Sequence, residues 1–286
     1  MKMKHWMKLV CFLTFLSVVF LLNYQRVDAE AKKVSLKAEV TYHDYDITGD
    51  GEKDSLLVTE GKTSDDDAHE VLEVYINNQR ALRLKTYFYY TDIDLVVLQN
   101  GKPFLYLKPT SDNDVGLCVI YQYQDGKLVK VVDLNKLTWK IGDHNGGYIK
   151  EVKNNKIIVR AYVQSYAVAG ISFDCTYKYE DDTLKLTGTT YKICDYCPYD
   201  AAKGKERKSP YITANRGFNV YKSISSGKVS SRIKKGDKVK LSKIYINGKK
   251  TRFKIKTKSG KSGWFISPKN YMDEDKKYFV EMQYAG

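Results

Sequence analysis

Helix-forming signal is nearly missing from this chain of 286 residues. Beyond residue 29 no stretch sustains apolar spacing of the helical period between caps, which argues against bundles and α/β folds. Proline is held to five residues and glycine to 19, which excludes collagen-like and proline-rich classes. Histidine is scarce, with only His43, His69 and His144 beyond the amino end. No His-Glu-x-x-His, Gly-x-Ser-x-Gly or phosphate-loop pattern occurs. The expectation is therefore a non-catalytic protein. The alternative is an extracellular wall or polysaccharide hydrolase using carboxylates, because spacing along strands does not reveal carboxylate pairs. No apolar run reaches the roughly 20 residues of a membrane-spanning helix.

The longest apolar run, Leu9–Leu22, follows Lys2, Lys4 and Lys8 and precedes Val27-Asp28-Ala29. A positive start, an apolar stretch of this length and small residues at the cut read as a secretory signal over 1–29, cleaved after Ala29. Cys11 lies inside the apolar stretch, which argues against a lipid anchor. The expectation is a secreted, extracellular protein with no transmembrane span after processing.

What the chain does have is charge, unevenly placed. Overall 48 Lys and Arg face 34 Asp and Glu, a net +14. Residues 30–202 carry 21 basic and 27 acidic groups, net −6, whereas 203–286 carry 23 and 6, net +17. So sharp a shift reads as an acidic domain over 30–202 and a basic one over 203–286, with different partners. The join lies near Ala201-Ala202-Lys203-Gly204-Lys205.

Short runs rich in Val, Ile, Tyr, Thr and Phe alternate with turn clusters, which predicts an all-β protein. Expected strands in the acidic half are Ser55–Glu60, Glu70–Ile76, Leu95–Leu98, Pro103–Leu107, Val115–Tyr123, Leu128–Asp133, Lys156–Tyr162, Gly170–Tyr179 and Leu184–Tyr191. Between them stand Asn77-Asn78, Asn100-Gly101, Asp125-Gly126, Asn154-Asn155 and Asp181-Asp182, residues suited to tight hairpin turns. This reads as an antiparallel meander, arranged as a sandwich or as propeller-blade-like units of about 50 residues.

One loop carries cation-binding chemistry. In Asp46-Ile-Thr48-Gly-Asp50-Gly51-Glu52-Lys-Asp54, oxygen-bearing residues fall at positions one, three, five and nine, with Glu52 at seven. Alternating oxygens around a tight turn suit Ca²⁺, which takes six to eight of them. Position twelve is Leu57, so the loop is not an EF-hand. It resembles the Asp-rich loops of FG-GAP/VCBS-type repeats in extracellular β proteins, and the resemblance implies a structural calcium held by Asp46, Thr48, Asp50, Glu52 and Asp54. The competing expectation is an acidic turn closed by its own hydrogen bonds.

Cys118, Cys175, Cys194 and Cys197 remain beyond residue 29. An even count in an exported chain favours disulfides, with Cys118 and Cys175 placed to meet across a sheet. The Cys194-x-x-Cys197 spacing leaves zinc and redox readings open.

The basic end packs Phe218–Tyr221, Ser231–Ile233, Lys238–Leu241, Lys243–Asn247, Arg252–Lys258 and Gly263–Ile266 into about sixty residues, the size of a small barrel. Phe218-Asn219-Val220, Ile233-Lys234-Lys235-Gly236-Asp237-Lys238-Val239 and Gly260-Lys261-Ser262-Gly263-Trp264-Phe265 resemble bacterial SH3 (SH3b) domains over roughly Pro210–Tyr271. The sequence departs from that pattern at Tyr221-Lys222-Ser223-Ile224, and Phe253 stands where Trp is common. The resemblance implies an SH3-like barrel that attaches to peptidoglycan or an anionic wall polymer through Tyr221, Phe253 and Trp264. Trp264 also suits a simpler role as core filling. The charge alone draws this end to polyanions, with no specific nucleic acid expected. The acidic half is then free to face an extracellular protein partner.

Overall fold

The computed structural model describes residues 30–63, 67–111, 116–164, 168, 170–196, 199–200, 205–206, 209–248, 250–266 and 277–281. The segment read as a leader lies outside them. Among the described residues no helix is long and apolar enough to cross a membrane.

The protein is all-β, and its sheets are antiparallel. A lead-in strand β1 (Lys32–Leu36) precedes three successive meanders. The first is β2 (Thr41–Tyr45), β3 (Asp54–Lys62), β4 (His69–Ile76) and β5 (Gln79–Phe88). The second is β6 (Tyr90–Val97), β7 (Pro103–Thr110), β8 (Val119–Gln124) and β9 (Lys127–Asp133), with β1 paired to β6 at its edge. A single helical turn, Asn135–Thr138, leads to the third: β10 (Asp143–Lys153), β11 (Lys156–Gln164), β12 (Ile171–Glu180), β13 (Thr183–Thr187) and β14 (Thr190–Tyr196).

The meanders stack face to face, and burial patterns follow from the stacking. Leu56, Leu72 and Val74 of the first sheet share a core with Ile93, Leu95, Leu105 and Leu107 of the second. The opposite side of the second sheet sends Val96, Phe104, Tyr106 and Ile120 into a core with Ile149, Val159 and Phe173 of the third. A strand buried on both faces needs a continuous apolar run, and Pro103–Leu107 is such a run. The first sheet faces water on one side, so β3 and β4 alternate instead. Each fully buried Leu, Val or Phe contributes about 1.5–3 kcal/mol.

Hairpin chemistry sets the turns. Asn77-Asn78, Asp125-Gly126 and Asp181-Asp182 hold positive φ at both central positions, as tight turns between twisted strands require. The expected strand Leu184–Tyr191 is two strands: Gly188, at φ +76, breaks it. β13 pairs with the end of β12 and β14 with its beginning.

The basic end adds a short pair, β15 (Tyr199–Asp200) and β16 (Lys205–Glu206), then β17 (Ile212–Thr213), β18 (Phe218–Tyr221), β19 (Val229–Ile233), β20 (Lys238–Asn247), β21 (Lys250–Thr257) and β22 (Ser262–Ile266). Their order is β20-β21-β22-β18-β19, with β17 on the first part of β20. Val220, Ile233, Val239, Leu241, Phe253, Ile255, Phe265 and Phe279 face inward. Gly263 is required where β22 meets β18, because a Cβ there would lie 3.0 Å from both the Tyr221 carbonyl and Val220.

The charge boundary near residue 202 is not a break in packing. β14 pairs with β20 through Thr190–Tyr245, Tyr191–Ile244 and Lys192–Lys243. One sheet and one core therefore run from the third meander into the basic strands.

Candidate functional site

The shared sheet has an outer face, and that face is cationic. Along β21, Phe253 and Ile255 point into the core, so Arg252, Lys254 and Lys256 point out. On β20 the spacing of Lys240 and Lys243 would place them on opposite faces of a regular strand. A bulge between Leu241 and Lys243 takes up the extra residue, so both face outward. Ser242 Oγ donates to the Lys254 carbonyl at 3.0 Å beside it.

Register aligns these groups in rows. Lys192 of β14 is opposite Lys243, Lys243 opposite Lys254, Lys254 opposite Trp264, and Trp264 opposite Tyr221. A second row runs Thr190, Tyr245, Arg252, Ile266, and a third runs Lys240, Lys256, Ser262. Neighbouring strands lie about 4.8 Å apart, so the charges are close. Like charges directly opposite each other destabilise a sheet. No carboxylate sits in these rows.

Aromatic rings partly stand in for anions. Lys254 Nζ lies 5.9 Å from the Trp264 ring centre, and the Arg252 guanidinium 5.9 Å from that of Tyr221. Arg252 Nη1 is nevertheless buried without a hydrogen-bond partner.

One outward carboxylate of the shared sheet is already answered. Asp174 on β12 accepts from Arg160 Nε and Lys150 Nζ, both at 2.6 Å. The Arg160 bond, reinforced by Lys150 and opposed by partial burial, holds its pKa at about 2. A carboxylate with a depressed folded pKa stabilises the protein above its unfolded value and loses that contribution as pH falls through the folded one. Stability is thus expected to drop between about pH 4 and pH 2, and Asp174→Asn to flatten part of that drop in unfolding curves. Curves for the variant and the parent that keep the same acid limb would contradict this pairing.

The residues expected to bind ligand separate. Phe253 is fully buried, stacked 5.4 Å from Phe265. Trp264 is only 7% exposed, yet it lies in the Lys254 row and outside the core shared with Phe265. Tyr221 is half-buried at the end of the same row.

The calcium-type loop closes on itself. Asp46 accepts from the Gly49 and Gly51 amides at 2.5 and 2.9 Å, and Asp50 from the Glu52 amide at 2.8 Å. Asp54, 3% exposed, accepts from the Ile47 and Thr48 amides at 2.6 and 2.8 Å and from Asn77 Nδ2 at 2.5 Å. These are the bonds of a self-closed acidic turn. Asp50 and Glu52 remain exposed on its outer side, and Thr48 Oγ1 lies 3.5 Å from Asp54. Among the described residues no three His, Cys, Asp or Glu side chains group as metal ligands.

The expected disulfide between Cys118 and Cys175 is not formed. Both are free buried thiols, and Cys194 is free and exposed, while Cys197 lies outside the described residues. Cys118 is engaged elsewhere: its Sγ donates to the Gly147 carbonyl at 3.1 Å and lies 3.4 Å from the Tyr106 hydroxyl. Burial pushes the thiol pKa values up, to about 11 at Cys118 and about 12 at Cys175. The reactive thiolate is therefore suppressed at both.

Lys192, inside the acidic stretch 30–202, is the row member that charge counting misses. The alternation Arg252-x-Lys254-x-Lys256 was the readable signal; the bulge and the β14–β20 pairing were not. The chain matches no protein-family model, no curated protein and no solved structure.

Proposed function

We propose that the chain is a secreted, non-catalytic protein that attaches to peptidoglycan or an anionic cell-wall polymer through the outer face of β14, β20, β21 and β22. The observation that carries the reading is the row Lys192, Lys243, Lys254, built at a cost in cross-strand repulsion and ending on Trp264 and Tyr221. A polymer with regularly spaced negative charges removes that repulsion, and its counterions are released on binding. The likeness to SH3b domains supports the same reading, and the leader-like amino end supports export. A structural calcium at Asp46–Asp54 belongs to the proposal through its oxygen spacing, with the exposed Asp50 and Glu52 as the open side of the loop.

Co-sedimentation of the full chain with purified wall sacculi tests the attachment. Retention is expected at physiological salt, to weaken steeply as salt rises, and to fall on the order of tenfold in Lys243→Gln/Lys254→Gln. The double variant should melt no lower than the parent, because it removes like-charge neighbours. Equal retention of parent and variant would overturn the assignment to this face.

A further inference from the structure

A second feature lies at the opposite end of the shared core. On the side of β6 and β7 that faces the third sheet, apolar residues give way to polar ones along each strand. Val96 is followed outward by Asp94 and Asp92, and Phe104 by Tyr106 and Lys108. β1 adds Lys33 and Ser35, and β10 adds Tyr148. An open cleft of about 260 Å³ results, lined by Lys33, Ser35, Thr91, Asp92, Asp94 and Tyr148 above Tyr106.

Its charges balance. Asp94 accepts the Ser35 hydroxyl at 2.6 Å and lies 3.6 Å from Lys33 Nζ, which also donates to the Ile149 carbonyl at 3.1 Å. Asp92 pairs with Lys108 at 3.2 Å. Two carboxylates and two ammonium groups leave no net charge to select an ion. Hydrogen-bonding capacity is nonetheless left over. The Asp92 side chain is 52% exposed even while it accepts from Lys108. Tyr148, 44% exposed, presents ring surface at the rim. Tyr106 is spoken for: its hydroxyl donates to the Gly147 carbonyl at 2.6 Å.

We infer that this cleft binds a neutral sugar ring. Carboxylates accept hydroxyl donors in short, charge-assisted bonds, Lys33 donates to ring or hydroxyl oxygens, and an aromatic rim covers the apolar face of a pyranose. An anion would meet Asp92 and Asp94, and a cation would meet Lys33, so each charged ligand carries a repulsion that a neutral polyol avoids. The cleft holds about one ring, at the small end of ligand pockets. This site is separate from the lysine rows and does not depend on the wall-attachment reading.

Calorimetric titration and saturation-transfer NMR of the full chain with cellobiose and N,N′-diacetylchitobiose test the inference, with glucuronate and glucosamine as charged comparisons. Saturable binding of at least one neutral disaccharide is expected, tighter than either charged sugar. Asp92→Asn and Tyr148→Ala should each weaken it about tenfold, the effect of losing one charge-assisted bond or one stacking face. Tyr148→Phe should bind within about twofold of the parent, because the ring remains. Both side chains are substantially exposed, so folding is preserved and melting curves check it. No saturable neutral sugar, tighter binding of a charged one, or unchanged affinity in both weakening variants would each overturn the site.

Discussion

Replacing Phe253 with Ala is expected to destabilise the protein by about 3–5 kcal/mol, the range for truncating a fully buried aromatic side chain. The ring has no exposed surface, and it stacks on Phe265, which in turn meets Phe218, Tyr278 and Phe279. Removing it empties the centre of that cluster, and the neighbours on β18 and β22 are held by their own strand pairing, so collapse is incomplete. A shift of the urea midpoint at unchanged slope reads the loss directly. An aromatic acting only as an outside platform would cost about 0.5 kcal/mol or less, so a loss that small would put Phe253 at the surface after all.

Asp54→Ala is expected to cost about 3 kcal/mol. The carboxylate is buried and answers three donors at once: the Ile47 and Thr48 amides and the Asn77 side chain. Asn77 also accepts from the Ser55 amide at 2.9 Å, so the same contact ties the loop to the β4–β5 turn. Each buried donor left without an acceptor costs about 1–3 kcal/mol. Burial pushes the Asp54 pKa up, but the Thr48, Asn77 and Ile47 bonds outweigh it and hold the group below its usual value. Its contribution is therefore full at neutral pH and fades on acidification. Thermal melts of parent and variant measure the loss, and a change below about 1 kcal/mol would contradict the keystone role. The same melts in calcium and in EDTA test the proposed cation. A rise with calcium in the parent that Asp54→Ala lacks supports it, and superimposable parent curves exclude it.

Local chemistry carried much of the fold. The turn pairs Asn77-Asn78 and Asp181-Asp182 are hairpin tips, and the run Pro103–Leu107 is a strand buried on both faces. β5 was not among the expected strands although Leu82-Arg83-Leu84-Lys85 alternates, and its exposed Arg80, Arg83 and Lys85 befit a strand at the edge of its sheet. Long-range facts escaped for a different reason. Nothing in the spacing of Thr190–Lys192 names β20 as its partner, and a register is a property of two segments together. The row of lysines exists only once that register is set. Nor does composition distinguish an aromatic that faces inward, as Phe253 does, from one that joins the outer row, as Trp264 does. One bulged residue decides whether Lys243 joins Lys240 on the same face.

Lysine footprinting reads the proposed attachment face residue by residue. The full chain is acetylated lightly, with and without a soluble anionic wall polymer, and modified lysines are quantified by mass spectrometry. Protection is expected at Lys192, Lys243, Lys254 and Lys256, while Lys136, 73% exposed on the helical turn outside these rows, reacts equally in both samples. Uniform protection of every exposed lysine, or protection that spares Lys243 and Lys254, would contradict a binding face built on these strands.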